Sequence, residues 1–136
     1  MLVSMESRGP DSAGFAIYNS DKNKIYKYSV CLNEMSFEKF KQEIKKRVKF
    51  TNIEKNSDHV ILKSTEKPNK ILPILEDFST ISLVGYGKSI EIFKQVGKPS
   101  NVVKKFNLDN FSGTHAIGHT RMATESAITT DGSHPY

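Results

Sequence analysis

Short segments in which apolar and polar residues alternate occur along the whole chain, and this pattern predicts β-strands. The predicted strands are residues 15–18, 24–30, 59–63, 81–84, 90–96 and 114–120. A polar segment at 19–23 and a glycine-containing segment at 85–89 each separate two neighbouring strands, so each is predicted to be the turn of a β-hairpin.

Apolar residues at helical spacing predict helices between these strands. Ser36 can act as the N-cap of a helix that runs to about residue 49, because its hydroxyl can accept a hydrogen bond from the first turn. A shorter helix is predicted after Pro68, with Pro73 early in it, and Pro99 is predicted to open another short helix. The pattern as a whole predicts an α+β fold in which antiparallel strands pack against helices.

A sharp corner is predicted near the start of the sequence. Residues 1–7 have the spacing of the last turns of a helix, and residues 8–14 (Arg-Gly-Pro-Asp-Ser-Ala-Gly) end it. Gly9 can adopt a positive φ angle, and Pro10 cannot continue a helix. The Asp11 carboxylate can accept hydrogen bonds from nearby backbone N–H groups in an Asx-type turn. We therefore expect a tight turn from helix to strand.

The composition is that of a soluble globular protein. A length of 136 residues and a hydrophobic fraction of 37% allow one domain with a hydrophobic core, so residues 1–136 are treated as a single domain. The net charge of +5 is weak evidence for a nucleic-acid partner, because few aromatic residues accompany the basic ones. A solvated helix face explains most of the basic residues on the predicted helix at 36–49, which are Lys39, Lys41, Lys45, Lys46 and Arg47.

The cysteine content indicates a reducing compartment. Cys31 is the single cysteine, so no internal disulfide can form, and a cytoplasmic location is expected. The sequence has no apolar run of membrane-spanning length and no secretion signal at its N-terminus, so no membrane partner is expected. Cys31 itself is expected to be a small buried hydrophobic residue.

Arg121 is the strongest candidate for a ligand-binding side chain. It follows the predicted strand at 114–120, between the hydroxyls of Thr120 and Thr124, in a chain whose positive charge is mostly lysine. A guanidinium matches a carboxylate with a rigid fork of donors, which an ammonium group cannot do. The residues alone leave two interpretations open: a pocket for a small carboxylate ligand, or an ion pair with a structural acid.

Two other patterns are weaker. The Gly-Lys-Ser sequence at 87–89 has no glycine at the upstream position that a phosphate loop requires, and a strand rather than a helix is predicted after it. His115, His119 and His134 suggest a metal site, but the first two would lie about 13 Å apart on a strand. We therefore expect no metal ion and no cofactor.

Two motifs together resemble the class II glutamine amidotransferase domain, a family of N-terminal-nucleophile hydrolases. The first motif is residues 8–14, and the second is Gly-His-Thr-Arg-Met-Ala-Thr-Glu-Ser at 118–126, followed by His134-Pro135. Val-Gly-Tyr-Gly at 84–87 and Ile-Glu-Ile-Phe-Lys-Gln-Val-Gly at 90–97 are most similar to the stand-alone, glutamate-synthase-type amidotransferase subunits. The likeness covers most of the chain.

The resemblance implies a fold, a substrate and site residues. The fold would be a four-layer αββα sandwich with antiparallel sheets, present here in part. The substrate would be glutamine, hydrolysed to glutamate and ammonia for a glutamate-synthase-type partner subunit. Arg121 would bind the substrate carboxylate, with Met122 (through its backbone) and Thr124 beside it. The supporting residues would be Arg8, Asp11 and His119.

The sequence departs from the family at the nucleophile. The family uses an N-terminal cysteine, whose own α-amino group acts as the base, and a downstream Asn-Gly pair that stabilises the oxyanion. This sequence begins with Met1-Leu2, and no Asn-Gly pair follows the second motif. We therefore expect a partial domain, incomplete at both ends, that has no catalytic residue and is inactive alone. A non-catalytic amino-acid-binding or regulatory module is the alternative.

Overall fold

The computed structural model describes residues 1–19, 24–123, 133 and 135. In chain order the elements are a 3-10 helix (Val3–Arg8), β1 (Ser12–Tyr18), β2 (Tyr26–Leu32), α1 (Phe37–Arg47), β3 (Asn52–Asn56), β4 (His59–Ser64), α2 (Pro68–Glu76), β5 (Ile81–Gly87), β6 (Ile90–Val96), α3 (Pro99–Phe106), a second 3-10 helix (Leu108–Asn110) and β7 (His115–Arg121). They form two compact units, one from 1–20 and 92–136 and the other from 21–91. The assignment of 1–136 to a single domain stays a prediction.

The first unit is built on a three-stranded sheet in the order β6-β1-β7, in which β1 and β7 are antiparallel. Its core is a cluster of aromatic rings from the sheet, from α3 and from the segment after the second 3-10 helix. Phe93 is at the centre, with ring centroids 5.2 Å from Phe15, 5.2 Å from Phe106 and 5.1 Å from Phe111. Such ring pairs add to the free energy gained by burying apolar area. The cluster therefore fixes α3 against the sheet.

The second unit is built on a four-stranded sheet in the order β3-β4-β2-β5, and each of its strand pairs is antiparallel. One face of this sheet packs against α1 and α2. The fully or nearly buried residues of that core are Tyr28, Val30, Phe40, Ile44, Val60, Leu62, Ile71 and Leu75. The other face of β2 carries Lys27, which is 3% exposed and forms a 3.0 Å ion pair with Glu91. The protein is therefore α+β, as the sequence predicts.

Helix and strand positions largely follow the sequence pattern. The Ser36 hydroxyl accepts a hydrogen bond from the backbone N–H of Lys39 and caps α1, as predicted. The basic side chains Lys45 and Lys46 are exposed, as expected for a solvated face. The first helix is a 3-10 helix rather than the end of an α-helix, and Pro73 lies inside α2 rather than near its start. No helix in the described ranges is both long and apolar enough to span a membrane.

Both predicted hairpins are wrong. β1 and β2 belong to different sheets, and so do β5 and β6. β5 also extends through Gly85 and Gly87, where the sequence predicts a turn. Turn-forming residues mark where a strand can end, but they do not determine which strand pairs with it. In this chain the sheet partner comes from elsewhere in the sequence, as in the pairing of β1 with β7.

Alkaline pH should destabilise the second unit through Tyr28. Its ring is fully buried, its hydroxyl donates a 2.9 Å hydrogen bond to the Glu66 carbonyl, and burial raises its pKa to about 12. An unfolded tyrosine has a pKa of about 10, so the unfolded state loses this proton first as the pH rises. The stabilising contribution is complete below pH 10 or so and is lost as the pH approaches 12.

The measurement is thermal unfolding of the wild type and of Tyr28→Phe from pH 8 upward. At pH 8 the variant should be less stable by about 1 kcal/mol, the usual value of one hydrogen bond. Because Phe cannot ionise, the difference should shrink as the pH rises towards 12. A constant difference across this range would contradict the prediction.

Candidate functional site

The two sequence motifs meet at one corner of the first unit. Arg121 is the last residue of β7 and pairs with Ser12, the first residue of β1. The backbone N–H of Asp11 donates a 3.1 Å hydrogen bond to the Arg121 carbonyl, and Pro10 forms an isolated bridge with Arg121. The segment that turns the chain into β1 therefore also holds the end of β7.

Asp11 links three segments at this corner. Its carboxylate Oδ2 accepts a 2.8 Å hydrogen bond from the backbone N–H of Ala123, and its carbonyl accepts a 2.7 Å hydrogen bond from Gly97, just after β6. The sequence predicts that this carboxylate binds a nearby N–H in an Asx-type turn. The observed partner is instead 112 residues away in the chain, so this part of the prediction is wrong. The residues that follow Arg121 are therefore held by an ionisable side chain of the other motif.

Glycine is required at position 9 because the backbone at the end of β7 approaches it closely, and not because of its φ angle. Its φ is −156°, so the predicted positive φ is wrong. A Cβ atom on Gly9 would lie 2.7 Å from the Arg121 nitrogen and 2.7 Å from the carbonyl carbon of Thr120. Both of these are backbone atoms in the pairing between β1 and β7, so they cannot move aside as a flexible side chain could. Only glycine allows the two motifs to pack this closely.

The side chains predicted at the site differ in exposure. Arg121 is half-buried, and Met122 is 60% exposed. His119 is exposed and pairs with Gly14 across the strands, and Arg8 is exposed at the end of the first 3-10 helix. Thr124 lies outside the described residues. The structure thus brings Arg8, Asp11, His119, Arg121 and Met122 to neighbouring positions along one strand pair and the turn before it.

Glu6 is a second acidic residue close to this corner, and no sequence motif indicated it. Its Oε2 accepts a 3.0 Å hydrogen bond from the backbone N–H of Ser100, in the first turn of α3. The hydrogen bonds from Ser100 lower the pKa of Glu6. Lys98, at the N-cap position of α3, makes no capping hydrogen bond with its side chain. The lack of Ser, Thr, Asp or Asn immediately before Pro99 is the sequence signal that the cap had to come from elsewhere.

An open cavity of about 460 Å³ lies beside the same corner, within the first unit. Its described lining residues are Val3, Ser4, Glu6, Ser7, Pro10 and Lys98. This volume is in the range of small-molecule sites, and the lining combines an acidic and a basic side chain.

The histidines of β7 do not form a metal centre with other described residues. The His115 ring stacks on Tyr18, with centroids 4.3 Å apart and ring planes 10° apart. Among the described side chains, neither His115 nor His119 belongs to a group of three potential ligands. His134 lies outside the described residues.

A methyl group on Gly9 should disrupt this corner. Gly9→Ala places the new Cβ against strand backbone, so we expect a loss of roughly 2 kcal/mol or more in unfolding free energy. Gly118→Ala is the matched control, because its Cβ would meet the Leu2 Cδ1 atom at 3.2 Å, the end of a flexible side chain. Denaturant unfolding and amide hydrogen exchange of residues 119–123 measure the effect. Equal stability of the two variants would contradict the close-packing argument.

Comparison with known proteins gives matches to glutamine amidotransferases. The chain is 36% identical over 140 residues to the "Glutamine amidotransferase-like protein GlxB" of Rhizobium meliloti (strain 1021), an alignment that covers all of this chain and 46% of that protein. It is 28% identical over 149 residues to a "Putative glutamine amidotransferase" of Methanothermobacter thermautotrophicus, covering all of this chain and 49% of that protein.

A third match is shorter. It is 34% identical over 79 residues to a glutamine–fructose-6-phosphate aminotransferase (isomerizing) of Methanococcus maripaludis, covering 52% of this chain and 13% of that protein. No protein-family model matches the chain. The chain spans about half the length of the first two relatives. These similarities support a glutamine amidotransferase domain.

Proposed function

We propose that this chain forms the glutamine-recognition part of a class II glutamine amidotransferase domain, of the N-terminal-nucleophile type. The observation that carries the proposal is the corner where Asp11 and Gly9 hold the end of β7 at Arg121. The names of the relatives support glutamine as the amide donor. A half-buried arginine at a fixed strand end suits the α-carboxylate of an amino acid.

Each predicted site residue has a role in this proposal. Arg121 binds the α-carboxylate of glutamine, and the Met122 backbone and Thr124 lie beside the substrate. Asp11 acts through its hydrogen bond to Ala123, which fixes the residues that follow Arg121. Arg8 and His119 support the corner from the neighbouring turn and strand. Preorganisation of this kind reduces the entropy lost when a small ligand binds.

Glutamine hydrolysis needs a nucleophile and a base in addition to this binding site. A thiolate would attack the side-chain amide carbon, and ammonia would leave with a proton from the base, which forms a thioester. Water would then hydrolyse the thioester, releasing glutamate and the thiol. The single cysteine of this chain, Cys31, is internal and therefore has no free α-amino group, and it is only 4% exposed in β2. We therefore propose that this chain binds glutamine without hydrolysing it. An enzyme that contains this domain together with the nucleophile would deliver ammonia to a glutamate-synthase-type partner subunit.

A non-catalytic amino-acid-binding or regulatory module is the second candidate function. The same observation about Cys31 favours it, since a buried internal thiol does not provide the amine-assisted nucleophile of this chemistry. The two candidates share the site at Arg121. In the first, glutamine bound there is hydrolysed once the nucleophile of the family is present; in the second, no chemical step follows binding.

Binding to Arg121 is tested by calorimetry with glutamine and glutamate. Wild-type chain should bind glutamine saturably, and Arg121→Ala should weaken binding by at least about thirtyfold, because a charge-assisted contact is lost. Arg121→Lys keeps the charge but not the fork of guanidinium donors, so its affinity for glutamine should lie between those of the wild type and Arg121→Ala. Arg47→Lys, at an exposed ion pair with Asp77, is the matched control and should bind like wild type. Wild-type affinity in Arg121→Ala would rule out the proposed clamp.

Catalysis is tested by measuring ammonia release from glutamine with the purified chain. We expect no turnover above the background rate, even at glutamine concentrations that saturate binding. Turnover that disappears in Cys31→Ala would instead identify Cys31 as a nucleophile. That result would overturn the proposal that the chain is inactive alone while leaving the glutamine site intact.

A further inference from the structure

The end of β2 and the turn between β3 and β4 bring three different metal-ligand residues together in the second unit. Cys31 in β2 pairs directly with His59, the first residue of β4. Asp58 precedes His59 in a tight turn, in which Ser57 has a φ of 58°. The backbone N–H of Leu32 donates a 2.7 Å hydrogen bond to the Asp58 carbonyl, which holds this turn against β2.

The donor atoms of these residues converge. One potential ligand atom from each of Cys31, Asp58 and His59 lies within 4.8 Å of the other two. His59 is fully buried, Cys31 is 4% exposed, and the Asp58 side chain is 32% exposed. His59 Nδ1 is 2.9 Å from Asp58 Oδ1, so the carboxylate also orients the imidazole. The group is thus enclosed on the cysteine and histidine side and open to solvent at the aspartate.

The chemistry of this donor set selects one class of ion. Thiolate sulfur, imidazole nitrogen and carboxylate oxygen are the three ligand types that bind zinc in proteins. Calcium and magnesium prefer sites in which every ligand atom is oxygen, so a cysteine ligand disfavours both ions. A divalent ion would be neutralised by one thiolate and one carboxylate, with a neutral imidazole as third ligand. A net charge of zero is the arrangement that costs least to bury.

We propose that Cys31, His59 and Asp58 bind one divalent transition-metal ion of the zinc class. Binding forms a metal–sulfur bond and releases the thiol proton of Cys31 to solvent, while His59 and Asp58 donate lone pairs. Three protein ligands leave the fourth tetrahedral position to water, on the exposed side of Asp58. That side opens on a cavity of about 360 Å³ lined by Leu32, Met35, Ser36, Phe37, Lys55, Ser57 and Asp58.

The bound ion would have a structural effect. It would link the end of β2 to the β3–β4 turn. In the described residues these two segments are joined by hydrogen bonds such as that from the Leu32 N–H to the Asp58 carbonyl. Because the ion binds the folded arrangement and the thiol must lose its proton, affinity should fall as the pH is lowered, by up to about tenfold per pH unit. The proposal does not depend on the glutamine site at Arg121.

The test is titration of the full, reduced chain with Co²⁺ and then Zn²⁺. One Co²⁺ per chain should bind and give a thiolate-to-cobalt charge-transfer band, which Zn²⁺ should abolish. Cys31→Ala should lose the band and weaken Zn²⁺ binding by at least roughly a hundredfold, since even outer-sphere partners contribute ten- to a hundredfold. Asp58→Asn should weaken it by at least about tenfold. Asp109→Asn, an exposed aspartate outside the group, is the matched control and should bind like wild type.

A second measurement needs no variant. Cys31 is the single thiol, so the rate of its alkylation reports this site alone. Saturating Zn²⁺ should slow alkylation at least about tenfold and a chelator should restore the rate, because only the free thiolate reacts. The proposal is overturned if the wild type takes up no ion saturably, or if Zn²⁺ leaves the alkylation rate unchanged. Undiminished uptake by a folded Cys31→Ala variant would overturn it as well.

Discussion

The hydrogen bond from the Ala123 N–H to the Asp11 carboxylate is the contact on which the candidate site depends. It joins the residues after β7 to the turn before β1, and the Asp11 carbonyl extends the link to Gly97 after β6. A hydrogen bond to an ionised acceptor is roughly twice as strong as a neutral one. One residue therefore connects all three strands of the first sheet at a single corner, through its carboxylate and its backbone. The position of Arg121 follows from that connection.

Local elements were predictable because their causes are local. The Ser36 cap and the apolar face of α1 are both contained in one segment, and α3 begins at Pro99 as predicted. Sheet membership was not predictable, because turn residues say nothing of the partner strand. β3 was missed altogether. Its sequence, Asn-Ile-Glu-Lys-Asn, is mostly polar because β3 lies at the edge of its sheet and is largely exposed.

The site was predictable only in part, because its motifs are local in the sequence but the contact between them is not. The sequence indicated Arg121 and the corner at 8–14 separately, but their adjacency arises from the antiparallel pairing of β1 with β7. The sequence predicts a requirement for glycine at position 9 because of its φ angle, whereas the structure shows that close approach of the Thr120 and Arg121 backbone requires it. Such a contact between distant residues cannot be recognised in the sequence. The grouping of Cys31 with Asp58 and His59 has no recognisable spacing at all. It exists only because β2 and β4 are neighbours.

β7 lies at the edge of its sheet in the described part of the chain, beside β1 alone. Most of its side chains are exposed, including the apolar Ile117, which is 49% exposed. An edge strand offers unpaired backbone groups to any other polypeptide that can adopt an extended conformation. The strand that carries Arg121 is thus also one of the sheet edges through which the protein could self-associate. The position of Arg121 and the tendency of the protein to aggregate in concentrated solution therefore both depend on the same edge strand.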